Sequence, residues 1–232
     1  MRRWLLGITA ILAGCGGSRP ATAPLSTPTS QANALRFLAL GDSYTIGESV
    51  AENDRWPVQL AAALRNKGVN IADPTIIATT GWTTADLSNA MDHADLRPPY
   101  DLVGLLIGVN NQFQGRSEDE YRQQFADLLK RAIHLAGDRS THVIVLSIPD
   151  WGVTPFARQF GADPATVGAA IDRFNAINRQ FTLQDGAAYV DITPLTRDRR
   201  DLVADDGLHP SGQMYEKWVE LALPVAEEAL KP

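Results

Sequence analysis

The chain has 232 residues, 44% of them hydrophobic and 21% charged, with a formal net charge of −6. That is enough apolar material for a buried core and excludes a disordered or fibrous chain. Like charges never run beyond a few residues, and no basic stretch is interleaved with aromatics, which argues against a nucleic-acid partner.

Two arginines, Arg2 and Arg3, precede an apolar run over 4–13, and Leu12-Ala13-Gly14-Cys15 follows. A basic start with a short apolar core reads as a secretory signal, and the core is too short for a permanent transmembrane helix. Leu-Ala-Gly-Cys resembles the lipobox of bacterial lipoproteins, which implies a signal peptide over 1–14 and lipidation of Cys15, with the membrane as partner. Cys15 is the only cysteine, so it has no intramolecular disulfide partner, and the rest of the chain carries no thiol. Gly16 rather than Asp follows it, which under the enterobacterial sorting rule favours the outer membrane over the inner. The expected location is the bacterial cell envelope. Residues 16–34 are rich in Gly, Ser, Thr, Ala and Pro and read as a disordered tether. Loss of Arg2 and Arg3 with the leader carries the net charge from −6 to about −8.

From residue 35 to 232 the pattern is that of one domain of roughly 200 residues. Short, wholly apolar runs over 37–40, 75–79, 102–107, 143–148 and 188–192 read as strands. Amphipathic segments over 57–67, 85–91, 118–136, 164–183 and 214–230 read as helices between and after them. Buried strands joined by helices imply an α/β fold, a parallel sheet covered on both faces. Ligand sites in such sheets lie outside the carboxyl ends of the strands, where the strand order reverses.

The strand ends carry the chemistry. The first strand runs into Gly41-Asp42-Ser43-Tyr44, which puts a hydroxyl beside the backbone N–H groups that open a helix. Taken alone, Ser43 reads as a helix cap. The second strand ends in Thr79-Thr80-Gly81-Trp82, where Gly81 alone is a turn glycine and Trp82 a packing residue or an entrance wall. The third ends in Gly108-Val109-Asn110-Asn111, and Asn110 alone suits an Asx-turn. After the fifth strand, 193–207 is long for a structureless connector, and it leads into Asp206-Gly207-Leu208-His209-Pro210-Ser211. Pro210 and Ser211 mark a helix start. Asp206 stands three residues before His209, placed to take its Nδ1–H and leave Nε2 facing a hydroxyl. His134 lies off the apolar face of its helix, His142 opens a strand at the far end of the sheet, and His93 lacks a carboxylate at that spacing. No ligand spacing recommends a metal site.

In this order, Gly41-Asp42-Ser43, Gly81, Gly108-Val109-Asn110 and Asp206-x-x-His209-Pro210 resemble the sequence blocks of the SGNH (GDSL-type) hydrolases and span nearly the whole domain. The resemblance implies a flavodoxin-like three-layer α/β/α sandwich with five strands in the order 2-1-3-4-5. It also implies a serine esterase that needs no metal or organic cofactor. Ser43, His209 and Asp206 would be its triad, and the Ser43 and Gly81 N–H groups with the Asn110 amide its oxyanion hole. Asn111 departs from the family's more common aspartate, which points to an altered neighbouring charge and substrate choice. Trp82, Asn111, Gln112, Arg116, Asp150, Trp151 and Phe156 are candidate pocket residues; Arg116 alone reads as a solvated loop residue. The implied substrate is an ester of lysophospholipase or short-chain esterase type, a lipid or an acylated carbohydrate. A carbohydrate O-acetyl esterase stands as an alternative, and a catalytically silent surface-binding protein on the same fold as another.

Overall fold

Phe37–Gly41 forms β1, and all five of its residues are buried. In the computed structural model, which describes residues 33–231, β1 lies inside a five-stranded parallel sheet with the order β2-β1-β3-β4-β5. The leader, Cys15 and nearly all of the tether expected over 16–34 lie outside the described residues. β2 (Thr75–Ala78) and β3 (Leu102–Leu106) flank β1, with Gly41 opposite Ala78 on one side and Leu106 on the other. β4 (Val143–Leu146) and β5 (Ala188–Val190) continue the sheet beyond β3. The chain therefore leaves β1 for one neighbour and returns to the other, and the strand order reverses beside β1. The implied 2-1-3-4-5 sandwich is the observed one.

Each helix expected from the periodicity has its counterpart. They are α2 (Trp56–Asn66), α3 (Thr84–His93), α5 (Glu118–Leu135), α7 (Pro164–Gln184) and α9 (Gly212–Ala229). α2 packs against α9, which also covers β4 and β5, while α5 packs against both α3 and α7. Trp56 opens α2 and is fully buried beside Phe37, with ring centroids 6.2 Å apart. A Cβ at Gly104 in β3 would lie 2.6 Å from the Trp56 Cη2, so the strand is glycine where the indole crosses it.

The short helices escape the periodicity. α1 (Ser43–Ile46), α4 (Val109–Phe113), α6 (Pro155–Phe160) and α8 (Thr193–Asp198) are too short to show an apolar stripe. α8 fills the first part of 193–207, the stretch that is long for a structureless connector: Pro194, just inside its start, is pre-set for a first turn. Strands also end earlier than their apolar runs. Past Leu146 the backbone N–H and C=O of Ile148 are bonded by the Asn175 side chain from α7 (2.8 and 3.0 Å), which ends the ladder. Past Val190, the Ile192 N–H turns to the Ser147 hydroxyl (2.8 Å).

Candidate active site

The loop after β1 turns at once into α1. Asp42 caps it, with Oδ1 accepting the Tyr44 N–H at 3.0 Å, and Ser43 is the first helical residue. The first N–H groups of a helix have no partner inside it, so the Ser43 N–H is left without an intrahelical acceptor. Asp42 is fully buried, and its Oδ2 has no hydrogen-bond partner. Burial pushes its carboxyl up to about 7 against the opposing pull of backbone N–H groups, that of Tyr44 foremost.

The loop 203–210 holds the candidate acid and base, Asp206 and His209. Val203 and Pro210 form an antiparallel bridge, and the Ala204 N–H donates to the His209 carbonyl at 2.7 Å. Within it, Asp206 Oδ1 accepts the N–H groups of Leu208 (2.8 Å) and His209 (2.9 Å). Asp206 Oδ2 pairs with His209 Nδ1 at 2.6 Å. Partial burial raises the Asp206 carboxyl, but the hydrogen bonds from the imidazole, from Leu208 and His209 N–H and from the Ser49 hydroxyl outweigh it, holding the group at about 2. The acid is thus an anion facing the Nδ1 side of the imidazole, and Nε2 is left for the cavity. Ser211 caps α9 directly after this loop through the Met214 N–H (3.3 Å), as expected.

Ser43, Asn110 and His209 line one cavity of about 170 Å³. Ser43 and His209 share this wall without being hydrogen-bonded to each other among the described contacts; such bonds are commonly long before substrate binds. The Asn110 Nδ2 donates to the Trp82 carbonyl at 2.9 Å, which ties the turn after β2 to the end of β3. An amide nitrogen has two N–H groups, so one remains for a ligand. Gly81 stands in that turn with φ +87° and open space where a Cβ would be. The positive φ, rather than crowding, is the reason for glycine there.

The rest of the cavity is apolar: Tyr44, Val109, Phe113, Trp151, Phe156 and Leu208. Trp151 is held by its indole N–H, which donates to Gln112 Oε1 at 2.7 Å, and Phe113 meets it edge-on at 5.2 Å. Phe156 stacks on Phe160 (5.7 Å, 15°), which also approaches Phe113 at 5.6 Å and is 63% exposed. The aromatic wall therefore runs from the cavity to the surface. Tyr44, one residue past the serine, meets the His209 ring edge-on at 5.7 Å and Trp218 at 6.2 Å, and so backs the imidazole. Nothing in the pattern around Ser43 assigns Tyr44 that place; its position next to the nucleophile candidate is the available signal.

Five candidate pocket residues are absent from the cavity wall, among them Gln112, which holds the Trp151 indole. Asn111 is fully buried: Oδ1 accepts the Thr84 N–H (3.0 Å) and Nδ2 donates to the Thr84 Oγ1 (2.7 Å), whose own proton goes to Gln124. An amide both accepts and donates there without burying a charge, so its departure from aspartate serves the start of α3 rather than a substrate. Arg116 is half exposed, reaches Glu120 at 3.8 Å, and is absent from the cavity wall. The Trp82 side chain is half-buried against the core, as a packing residue. Asp150, 3% exposed, accepts from Arg197 Nε at 2.8 Å and from the Gly152 N–H at 2.9 Å, while Arg197 also bonds Asp172 at 2.8 Å. It anchors the loop that carries Trp151. His134 lies on the surface beside Asp138, and His142 bonds the Asp101 carbonyl at the other end of the sheet.

Among the described residues, no group of three or more His, Cys, Asp or Glu side chains is gathered as a metal site. No curated protein matches the sequence. Solved structures match over most of the chain at low identity. TesA has a TM-score of 0.69 at 18% identity, covering 84% of this chain and 99% of its own. The lipase/acylhydrolase from Enterococcus faecalis has 0.65 at 20%, covering 85% and 98%. A variant of Axe2, an acetyl xylan esterase from Geobacillus stearothermophilus, has 0.62 at 15%, covering 83% and 94%. At such identities they speak for the fold alone. The model of the GDSL-like lipase/acylhydrolase family matches residues 39–217, from the strand before Ser43 to the helix after His209, and the chain belongs to that family.

Proposed function

We propose that this chain is a serine ester hydrolase using Ser43, His209 and Asp206. The observation that carries the reading is the 2.6 Å pairing of Asp206 with His209 Nδ1 on a loop whose imidazole shares one cavity wall with the Ser43 hydroxyl. Neutral His209 accepts the Ser43 proton at Nε2 as Oγ attacks the ester carbonyl. The tetrahedral oxyanion is held by the N–H groups of Ser43 and Gly81 and the spare N–H of Asn110. The C–O bond to the alcohol then breaks, the leaving oxygen takes the proton from His209, and water cleaves the acyl-enzyme by the same route. Asp206 remains an anion throughout and stabilises the imidazolium.

The apolar lining supports an acyl group of esterase or lysophospholipase type over acetate on a polysaccharide, because Val109, Phe113, Trp151 and Phe156 offer a chain surface to bury. A sugar deacetylase is favoured by a polar, open cleft. A silent binding protein is disfavoured by an intact hydroxyl, imidazole and carboxylate. The same proposal puts the enzyme on the bacterial envelope through acylated Cys15; Cys15→Ala is expected to move it from the membrane to the soluble fraction.

The test is Ser43→Ala against nitrophenyl esters of graded chain length and acetylated xylan. Loss of hydrolysis by at least about 10⁴-fold, and of fluorophosphonate labelling, in a folded protein is expected; an unchanged rate overturns the triad. Release of acetate from xylan without turnover of longer esters would transfer the reading to a deacetylase.

A further inference from the structure

Ser49 is one of two non-glycine residues with positive φ (65°) among the described residues, and it lies in the loop just after the serine-bearing helix α1. A left-handed serine is strained, and such residues gather where the surrounding structure needs a particular placement. Its hydroxyl donates to Asp206 Oδ2 at 2.7 Å, across 157 residues of sequence. This is the same oxygen that pairs with the His209 imidazole.

The loop is pinned on both sides of Ser49. The Glu48 N–H donates to the Ser43 carbonyl at 3.0 Å, and the Val50 N–H to the Gly47 carbonyl at 3.3 Å. The Glu48 carboxylate accepts the Thr80 hydroxyl, in the turn that carries Gly81. Two adjacent residues thus reach from the nucleophile's loop to the oxyanion turn on one side and to the acid on the other.

We propose that Ser49 is a positioning residue of the catalytic machinery, the cross-link that sets the acid–base loop against the serine; this rests on the triad reading above. Asp206 and His209 sit three residues apart in one turn, so their mutual bond fixes nothing relative to Ser43; the Tyr44 ring packs on the imidazole, and the Ser49 hydroxyl is the hydrogen bond from that side to the acid. A carboxylate offers about four lone-pair sites. Three are taken within the turn, by the Leu208 and His209 N–H groups and by Nδ1. Among the described side chains, the fourth donor is Ser49, and it alone comes from outside that turn. Its left-handed backbone turns the hydroxyl toward Asp206 from a loop hydrogen-bonded to Ser43. Removing it leaves the turn folded and still held by the Phe156 N–H on the Gly207 carbonyl (2.9 Å) and by Tyr44 against the imidazole, but without its hydrogen bond to the serine's loop, and small displacements of a reacting group reduce rate steeply.

Ser49→Gly separates positioning from folding, because glycine adopts positive φ without strain. The variant is expected to melt no lower than the wild type while kcat on a short nitrophenyl ester falls about five- to tenfold at unchanged KM, the scale of one partly exposed hydrogen bond to a charge. The downfield proton resonance of the His209 Nδ1–H is expected to shift. Ser49→Ala is expected to lose the same kcat despite its lower stability. A Ser49→Gly protein with wild-type kcat and an unmoved resonance overturns the proposal. If Ser43→Ala is inactive in that case, the triad stands and only the role of Ser49 falls; if Ser43→Ala is active, the triad reading falls with it.

Discussion

The two walls of the cavity are built differently. On the polar side, His209 and Asn110 line the cavity, and they and Asp206, bonded to the His209 imidazole, are each held by directional bonds of 2.6–2.9 Å. On the aromatic side, Phe113, Trp151, Phe156 and Phe160 meet at ring distances of 5.2–6.4 Å, and only the Trp151 indole is tied, to Gln112. A hydrogen bond is satisfied or lost over a few tenths of an ångström, whereas dispersion contacts spread over many atoms and adjust. Chemistry at a carbonyl needs the first kind of wall; an acyl chain of variable length tolerates the second. Substitutions on the polar side should therefore act steeply on kcat, and those on the aromatic side gradually and by chain length.

The sharpest break in the polar wall is Asp206→Asn, which keeps the shape but turns a donor toward Nδ1 or loses the tautomer control. A fall of about 10³–10⁴-fold in kcat is expected in steady-state assays. The same variant tests the acid's contribution to stability. A carboxyl held at about 2, below its ordinary value of 3.8, stabilises the fold above roughly pH 4 and ceases to do so as pH falls through about 2. The loss of melting temperature in that window should be shallower for Asp206→Asn than for the wild type.

Next comes Asn110→Ala. If Asn110 is the oxyanion donor proposed above, its deletion costs about 3–4 kcal/mol, some 10²–10³-fold in kcat, and it also frees the Trp82 carbonyl, and with it the turn carrying Gly81, from the end of β3. KM should change little. Behind the aromatic wall, Arg197→Ala leaves the Asp150 carboxylate buried without its cation. A loss of about 3 kcal/mol in urea unfolding is expected, since removing one partner of a buried pair strands the other; Arg197→Lys should recover part of it. The smallest effect belongs to Phe160→Ala. It should leave acetate and butyrate esters unaffected and raise KM by a few-fold for long chains, on the scale of about 1 kcal/mol for one lost ring contact. An equal effect on acetate would remove the distinction between the walls.

Legibility follows the same division. Ser43, Gly81, Asn110, Asp206 and His209 are picked out as candidates because glycines, caps and a three-residue Asp–His spacing are local signals at strand ends; of these Ser43, Asn110 and His209 line the cavity. Trp151 and Phe156 are found as residues following β4, yet Asp150 beside them and Asn111 beside Asn110 do not belong to the pocket to which their positions assign them. One position along a loop reverses where a side chain points, and only the partners, Arg197 for Asp150 and Thr84 for Asn111, decide it. Short helices such as α6 and α8 go unseen because a turn and a half has no measurable period, although Thr154-Pro155 and Thr193-Pro194 are visible starts.

What the sequence determined by itself is the alternation of buried strands and amphipathic helices, the family, and the order of the blocks at the strand ends, all of which depend on neighbours in the chain. What tertiary structure alone decided is which of those side chains share a space. Tyr44 against His209, Ser49 on Asp206 and the aromatic wall join loops from opposite halves of the domain. Such contacts depend on the sheet's register and the packing of helices upon it, quantities that no local spacing encodes.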